Sequence, residues 1–487
     1  MPARPSRPFL VVTIAAIVAV AGIAVFADGA HPRPASATAA SPPAANTAES
    51  TSTGGDTPSS IPSGSGGSGS LTPDTPSVPV LTSAPTSTAT ATPQAMSAAS
   101  ATTTTATATD TVWVSVVSAT PQTSDDINAG PTQAAAQSLV AQLSSYWSTQ
   151  SGGAVTLALA GFETRSLGES SCNPNAALSA EEIGAFGGMF ANGAWKGTHQ
   201  HLLVLSAESC GAASFATVGG KGGEIFSGNG IDASMGVPYL LHEFGHNLGF
   251  EHADASICTN TASYDGTAAD FSFTSIVCPT REYDDYFDIM GYTVKNATPN
   301  LSSPQRILAG WMTNYATITS STPSTTKTLT ALGGSGGTQA LKIIDPVSGD
   351  VYYVEYRANS GLDATSAEFN YGLQCDPAMS GYTICELDSS KTTGAVRILR
   401  TIPIVATGAI GTTVMATALT AGSSDKTKRH THLNPGDTFT SLDGSFRISV
   451  ESMSPSSGAS ISVTFGSATP TPTFTTVPAP VQLTPKG

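Results

Sequence analysis

The sequence predicts an α+β protein, in which a mixed sheet with packed helices is followed by an all-β sandwich domain. Two observations carry this prediction. In residues 111–315, apolar runs typical of strands alternate with patterns of helical period. In residues 316–467, short segments with β patterning recur, and turn residues separate them.

The first domain is predicted to begin with a strand at Thr111–Val117, which is rich in β-branched and aromatic residues. Pro131 and Thr132 then open a helical pattern, because proline favours the first positions of a helix. The apolar residues of this helix fall on one face and are Leu139, Leu143 and Trp147.

Further elements of the first domain follow in the same alternation. Strands are predicted at Val155–Phe162 and His201–Leu205. Between them, Ser179 with Glu182 three residues later has the pattern of a capped helix start. Glycine-rich turns near residues 219–223 precede a helix that carries the segment His242–His252.

The second domain is predicted from short β-patterned segments with turns such as Asp443-Gly444 between them. These segments are Thr326–Ala331, Ala340–Ile344, Val351–Tyr356, Ala395–Leu399, Phe446–Val450 and Ala459–Phe465.

The two ends of the chain differ from these domains. Arg4 and Arg7 precede an apolar run at Phe9–Phe26, which predicts a secretory signal within residues 1–30. The run also reaches the length of a membrane span, so an uncleaved anchor at the cell surface stays open as the alternative. Residues 31–110 and 468–487 are rich in Ser, Thr, Pro and Ala, which predicts a disordered stalk or pro-segment and a disordered tail.

Composition narrows the class of partner. The net charge is -15 with only 20 Lys and Arg, which argues against nucleic acid and anionic membrane surfaces as partners. Six cysteines after an export signal fit disulfides in an oxidising compartment. Pairing of sequence neighbours would join Cys172 to Cys210, Cys258 to Cys278 and Cys375 to Cys385.

The spacing of three histidines predicts a metal site. His242 and His246 are four residues apart, so a helix presents both imidazoles on one face. Gly249 allows the chain to leave the helix, and His252 can then return as a third ligand. Three nitrogen ligands leave a fourth position open, as in catalytic zinc sites. A bare His-Glu-x-x-His can arise by chance, but three of the eight histidines fall in register here.

Glu243 follows the first predicted ligand and is the expected general base. In this interpretation it accepts the proton of a metal-activated water as the water attacks a peptide carbonyl. It then delivers the proton to the leaving amine, and no covalent intermediate forms.

The segment His242–His252 resembles the zinc-binding motif of the metzincin metalloendopeptidases, which is followed by a methionine-containing turn. Residues Tyr286–Tyr292 are similar to that turn, and the resemblance implies that Met290 lies under the three imidazoles without binding the metal. The resemblance also implies that Tyr292 lies beside the zinc, where it ligates the metal or stabilises the oxyanion.

A more diffuse resemblance extends to the gametolysin-like peptidases. Ser303–Trp311 looks like the helix that follows the methionine turn in that group, and Tyr352–Arg357 looks like part of its C-terminal domain. This likeness suggests extracellular proteins or glycoproteins as substrates. The residue after the third histidine helps to define metzincin subfamilies, and Ala253 at this position matches none of them cleanly. No cysteine precedes Cys172, which argues against latency through a pro-segment thiol.

Three interpretations of function follow. The leading one is a secreted zinc endopeptidase with one catalytic ion. A cell-surface binding protein on a stalk, with the peptidase fold kept only as a scaffold, is the alternative, although retention of Glu243 argues against it. A zinc hydrolase of a bond other than a peptide is the third. An acidic cluster at Glu282, Asp284, Asp285 and Asp288 suggests Ca²⁺ weakly, because it lacks a regular ligand spacing, and a solvated acidic loop is expected instead.

Overall fold

The computed structural model describes residues 108–120 and 132–466, omitting 185, 209, 211–213, 220, 229–235, 259–263, 273–274, 276, 293–295, 322–323, 371–374, 378–382, 386–393, 404–409, 416 and 419–427. The predicted signal or anchor at 1–30, most of the 31–110 segment and the tail at 468–487 lie outside the described residues. Within the described ranges, no helix is long and apolar enough to cross a membrane.

The chain folds as an α+β protein with more strand than helix, as the sequence predicts at this level. The helices are α1 Gln133–Gln150, α2 Pro174–Ile183, α3 Gly187–Phe190, α4 Gly236–Asn247, α5 Ser303–Leu308 and α6 Ala367–Asn370. Short 3₁₀ turns lie at Ala191–Gly193, Ala268–Asp270 and Asp363–Thr365.

The strands of the N-terminal part are β1 Ala108–Ser118, β2 Val155–Ser166, β3 Gln200–Ser206, β4 Ser214–Ala216, β5 Gly223–Ser227, β6 Phe250–Ser256, β7 Phe271–Ser272 and β8 Cys278–Arg281. Those that follow are β9 Tyr315–Ile318, β10 Ser324–Leu329, β11 Ala340–Ile344, β12 Val351–Ala358, β13 Cys375–Pro377, β14 Thr383–Cys385, β15 Gly394–Pro403, β16 Ile410–Met415, β17 Thr417–Ala418, β18 Lys428–His430, β19 Thr438–Thr440, β20 Phe446–Ser454 and β21 Gly458–Phe465.

The N-terminal sheet has the strand order β2-β1-β3-β5-β4 in the described part of the chain. Its pairs are parallel except for β4 with β5, so it is a mixed sheet. Strand β1 is central because its valines are buried on both faces: Val112, Val114 and Val116 face one core, and Val117 faces another. The predicted start at Thr111 is three residues late, since β1 begins at Ala108.

Helix α1 packs on one face of this sheet and helix α2 on the other. Helix α1 buries Leu139, Leu143 and Trp147, the face that the sequence predicts. The Thr132 side chain accepts a hydrogen bond from the Ala135 amide at 3.2 Å and caps the helix start. The predicted cap at Ser179 is wrong, because α2 begins at Pro174 and Ser179 lies inside it. Local capping patterns recur inside helices, so this motif alone does not fix a boundary.

The second large sheet crosses the predicted domain boundary at 315. Its order among the described strands is β7-β8-β6-β16-β15-β12-β11-β9. Strand β6, which contains His252, pairs in parallel with β16, and Thr412 lies opposite Ala253. A four-stranded sheet, β10-β21-β20-β19, packs against part of this large sheet, and residues of both share one apolar core. The division into two domains stays a prediction, but hydrogen-bonded strands connect its two sides.

Two predicted disulfides are present, Cys172–Cys210 and Cys258–Cys278. They agree with an extracellular or secreted protein. The third predicted pair places Cys375 directly opposite Cys385 in the β13–β14 register, while the side chains of both residues lie outside the described part of the structure. The Cys258–Cys278 bridge connects the end of β6 to β8, whose Arg281 pairs with Ala255.

A chain that ends at Asn314 is expected not to fold. It lacks β16, so β6 would keep β8 but lose its other sheet neighbour and expose a buried edge. Circular dichroism and hydrogen exchange would measure this against a control chain that ends at Gly466, which keeps every described strand. Cooperative unfolding of the shorter chain would show instead that the N-terminal part is an independent domain.

Candidate metal centre

Helix α4 brings the first two predicted ligands into the protein interior. Leu240, Leu241 and Phe244 anchor the helix in the apolar core. His242 and His246 are also buried, each with 6% of its surface exposed. Burying polar groups at such positions costs free energy unless the groups have hydrogen-bond partners.

The three imidazoles converge as the spacing predicts. The His242 and His246 ring centroids are 4.8 Å apart, and those of His252 and His246 are 4.9 Å apart. One ligand atom from each of the three residues lies within 4.8 Å of the others. His252 reaches this cluster from β6, because Gly249 adopts a φ of +101° two residues after the helix ends at Asn247.

Each imidazole has its Nδ1 beside an oxygen acceptor. The Nδ1 of His242 donates to the Ile289 carbonyl at 2.9 Å, and that of His246 donates to the Phe250 carbonyl at 2.8 Å. The Nδ1 of His252 donates to the Glu282 carboxylate at 2.6 Å. Carbonyl and carboxylate oxygens only accept, so Nδ1 carries the hydrogen and the Nε2 lone pair is left for a metal.

Burial keeps two of these imidazoles neutral. Burial first, and the neighbouring His252 second, lower the pKa of His242 to about 3. Burial also lowers the pKa of His246 well below its usual value, with His242 and then His252 adding to the effect. A neutral imidazole is the form that binds a metal, so neither residue needs to lose a proton first near neutral pH.

Glu243 is buried beside the first ligand, with 5% of its surface exposed. Burial raises the pKa of its carboxyl to about 8. Its Oε2 is buried and has no hydrogen-bond partner among the described residues. A buried carboxyl oxygen without a partner is costly, which fits a group whose partner is a bound cation or water. The residues present therefore fit a zinc ion.

Met290 lies against the motif helix. It is fully buried, and a Cβ added at Gly245 would clash with its sulfur. Glycine at 245, between the two helical ligands, therefore allows the methionine to approach the helix backbone. The Met290 carbonyl accepts from the Ala253 amide at 2.9 Å, which ties the turn to the strand that carries His252.

Two tyrosines differ in which rings they contact. Tyr292 is 40% exposed, and its ring centroid lies 5.3 Å from that of Tyr286. The Tyr283 ring lies 4.0 Å from the His252 ring and 5.8 Å from the His242 ring. Motif spacing in the sequence predicts neither the position of Tyr283 nor the pairing of Glu282 with His252.

The only sequence signal for these two residues was the predicted Cys258–Cys278 bridge. It helps the chain after β8 to return beside β6, and this return places residues 282 and 283 next to His252.

The expected solvated acidic loop is wrong for most of the acidic cluster. Asp285 and Asp288 are 1% and 0% exposed, and Asp284 is 9% exposed. Asp284 pairs with Arg281 at 2.6 Å, and Asp285 pairs with Arg397. Asp288 accepts from the amides of Met290 and Ser302. Backbone amides and arginines pair with these carboxylates inside the protein, and one partner, Arg397, lies 112 positions after Asp285, where spacing does not reveal it. The weaker suggestion of a Ca²⁺ site stays a prediction.

Comparison with known proteins adds no family. No family model matches the chain, and no curated protein matches it. One similar solved structure, of a chaperone-substrate complex, is 15% identical with a TM-score of 0.20. The match covers 30% of this chain and 24% of that chain, so this chain corresponds to about a quarter of it. This likeness carries no argument about function.

Proposed function

We propose that this protein is an extracellular zinc-dependent endopeptidase. One observation carries the proposal: three imidazoles converge within 4.8 Å beside a buried glutamate, and each has its Nδ1 committed to an acceptor. His242, His246 and His252 would hold the metal through Nε2. A structural zinc site would use four protein ligands, whereas this cluster has three among the described residues.

A bound zinc ion would polarise the scissile carbonyl and make a water molecule more acidic. The protein supplies the proton transfers. Glu243 takes a proton from the attacking water while the oxygen of that water bonds to the carbonyl carbon. Glu243 then gives that proton to the amine nitrogen as the C–N bond breaks. Glu243 is buried next to a ligand in the sequence, so bulk water is excluded from its carboxyl group.

The metzincin resemblance supports this proposal through the third histidine and Met290. By that resemblance the N-terminal region has a metzincin-like fold, and the substrates are extracellular proteins or glycoproteins. The two disulfides agree with that location. Glu282 would orient His252 in the way that carboxylates commonly orient zinc-binding histidines.

The test is to purify the full chain and to measure its zinc content together with its cleavage of casein. Cleavage should vanish with a chelator and return when zinc is added, at one zinc per chain. Zinc without cleavage of casein or of a panel of extracellular proteins would favour the binding-protein alternative. A chain that binds no zinc would overturn the proposal.

Tyr292 is expected to act on turnover rather than on zinc binding. If its hydroxyl stabilises the oxyanion, Tyr292→Phe lowers kcat by about 10²-fold and leaves the zinc content unchanged. Tyr286→Phe is the matched control, because Tyr286 is the ring partner of Tyr292. Equal rates in Tyr292→Phe and in the unmodified protein would assign Tyr292 to packing alone.

A further inference from the structure

The methionine-turn segment, defined here as residues 285–291, is held by two buried arginines from the C-terminal strands. Arg397 of β15 pairs with Asp285 and lies over the Phe287 ring, with its guanidinium carbon 5.0 Å from the ring centroid. Arg357 of β12 donates from Nη1 to the Phe287 carbonyl at 3.1 Å. Both arginines are fully buried, and Glu355 pairs with both, at 2.7 Å from Arg357 and 3.0 Å from Arg397.

We propose that Arg397, with Arg357, positions the metal ligands through this segment, and that the C-terminal strands are therefore part of the metal centre. This inference rests on the proposed zinc site. It makes Arg397 a positioning residue, since it contacts the segment and not the imidazoles.

The segment contacts the ligands through its backbone. The Ile289 carbonyl fixes the His242 ring through the 2.9 Å bond to Nδ1. The adjacent Met290 carbonyl accepts from the Ala253 amide, directly after His252 in the sequence. A shift of the segment would therefore move the acceptor that orients one ligand and the strand position that carries another.

The interior of the segment is built around its two carboxylates. Asp285 accepts from the Phe287 amide at 3.0 Å, and Asp288 accepts from the Met290 amide at 2.9 Å. Two buried carboxylates so close in the chain repel each other unless cations offset their charge. The guanidinium of Arg397 supplies that charge to Asp285, so the geometry of the turn depends on a residue more than a hundred positions later.

Buried N–H donors without partners indicate that the two arginines have a role other than stabilising the fold. The Arg397 Nε and one terminal nitrogen of Arg357 are buried without a hydrogen-bond partner among the described residues. Apolar side chains in these positions would avoid that cost, because buried ion pairs often stabilise less than well-packed apolar groups. A positioning role explains why charged groups occupy this place.

Arg400 provides a matched control on the same strand. It is buried with 3% of its surface exposed, and it pairs with Asp265 at 3.1 Å and Asp350 at 2.7 Å. It also lies over aromatic rings, those of Phe271 and Tyr352. Its partners lie outside the methionine-turn segment, so replacing it tests the loss of a buried arginine alone.

The experiment compares Arg397→Met, Arg397→Lys and Arg400→Met in the full chain. Zinc affinity is measured by competition with a chelator, and ligand geometry is measured from the visible absorption bands of the cobalt-loaded protein. We expect Arg397→Met to weaken zinc binding by about 10- to 100-fold and to alter the cobalt bands. Arg397→Lys should recover part of both losses, and Arg400→Met should keep both near the values of the unmodified protein.

Equal effects of Arg397→Met and Arg400→Met, or no effect of either, would overturn the inference while leaving the zinc peptidase proposal intact. If Arg397→Met does not fold, Asp285→Asn gives the same comparison, because it removes the charge that Arg397 meets and keeps an acceptor for the Phe287 amide. Failure of the unmodified chain to bind zinc or cobalt would overturn the proposed function itself.

Discussion

Replacement of Glu243 by glutamine is expected to lower turnover by about 10²- to 10⁴-fold while the zinc content stays at that of the unmodified protein. The amide has nearly the shape of the carboxyl group, so the buried site keeps its packing. It cannot accept a proton from an attacking water at neutral pH, however, and it cannot return one to the leaving amine. The three histidines are untouched, so metal affinity should change little.

Kinetics on a peptide substrate and metal analysis of the same preparation would measure both quantities. Glu251→Gln is the matched control, since it makes the same chemical change within the same motif, on a side chain that is only partly buried on β6. We expect that control to keep nearly full activity. Full turnover in Glu243→Gln would rule out Glu243 as the general base, even if the chain proves to be a zinc enzyme.

The pH dependence of turnover should depend on the protonation state of the same carboxyl group, that of Glu243. Burial raises the pKa of Glu243 to about 8 in the metal-free protein, so above that value the free carboxylate predominates. A cation bound by the neighbouring imidazoles favours the charged carboxylate and shifts this pKa downward. Metal binding therefore favours the deprotonated form of Glu243, which is the form that acts as the base.

Local patterns predicted much of the secondary structure. Ala340–Ile344 is a strand with the predicted bounds, and the strand predicted at Val351–Tyr356 runs two residues longer. β-Branched and aromatic side chains fit the pleated surface of a strand, so short runs of them indicate strands before the pairing partners are known. The two described disulfides also follow sequence proximity, because a short loop between cysteines keeps them within reach of each other.

Some features of the candidate site could be predicted from local patterns, and others could not. The convergence of His242, His246 and His252 could be predicted, because a helix and one glycine turn fix their relative positions. Spacing gave no indication of the acceptor for each Nδ1 or of the burial of Asp285 against Arg397. These contacts depend on how β6, β8 and β15 share one sheet, which is a property of long-range pairing.

The predicted division at 315 shows the same limit. The change from mixed to β-rich patterning near that residue is a local feature, and the structure has strands where the pattern places them. Whether two regions are separate depends on which strands become neighbours. The parallel pairing of β6 with β16 joins positions about 160 residues apart, with no matching pattern in the sequence.

Replacement of His252 by alanine is expected to weaken zinc binding by about 10²- to 10³-fold and to abolish cleavage at limiting zinc. Binding free energies for four-ligand zinc sites of about 10–16 kcal/mol correspond to roughly 2.5–4 kcal/mol per ligand, which is close to this range of affinity. His252 has the largest exposed fraction of the three side chains, so alanine there should disturb the core less than at His242 or His246.

Glu282→Gln grades the same effect, because it removes only the charged acceptor at the His252 Nδ1. We expect its zinc affinity to fall by about 10-fold, between those of the unmodified protein and His252→Ala. Chelator competition at fixed pH would give all three affinities, and circular dichroism would check the fold. If His252→Ala bound zinc as tightly as the unmodified protein, the third ligand would have to be another group. If Glu282→Gln matched His252→Ala, the carboxylate would have to contribute more than orientation. A zinc affinity that falls from the unmodified protein to Glu282→Gln and again to His252→Ala is the result expected if His252 binds the metal through Nε2 while Glu282 accepts from its Nδ1.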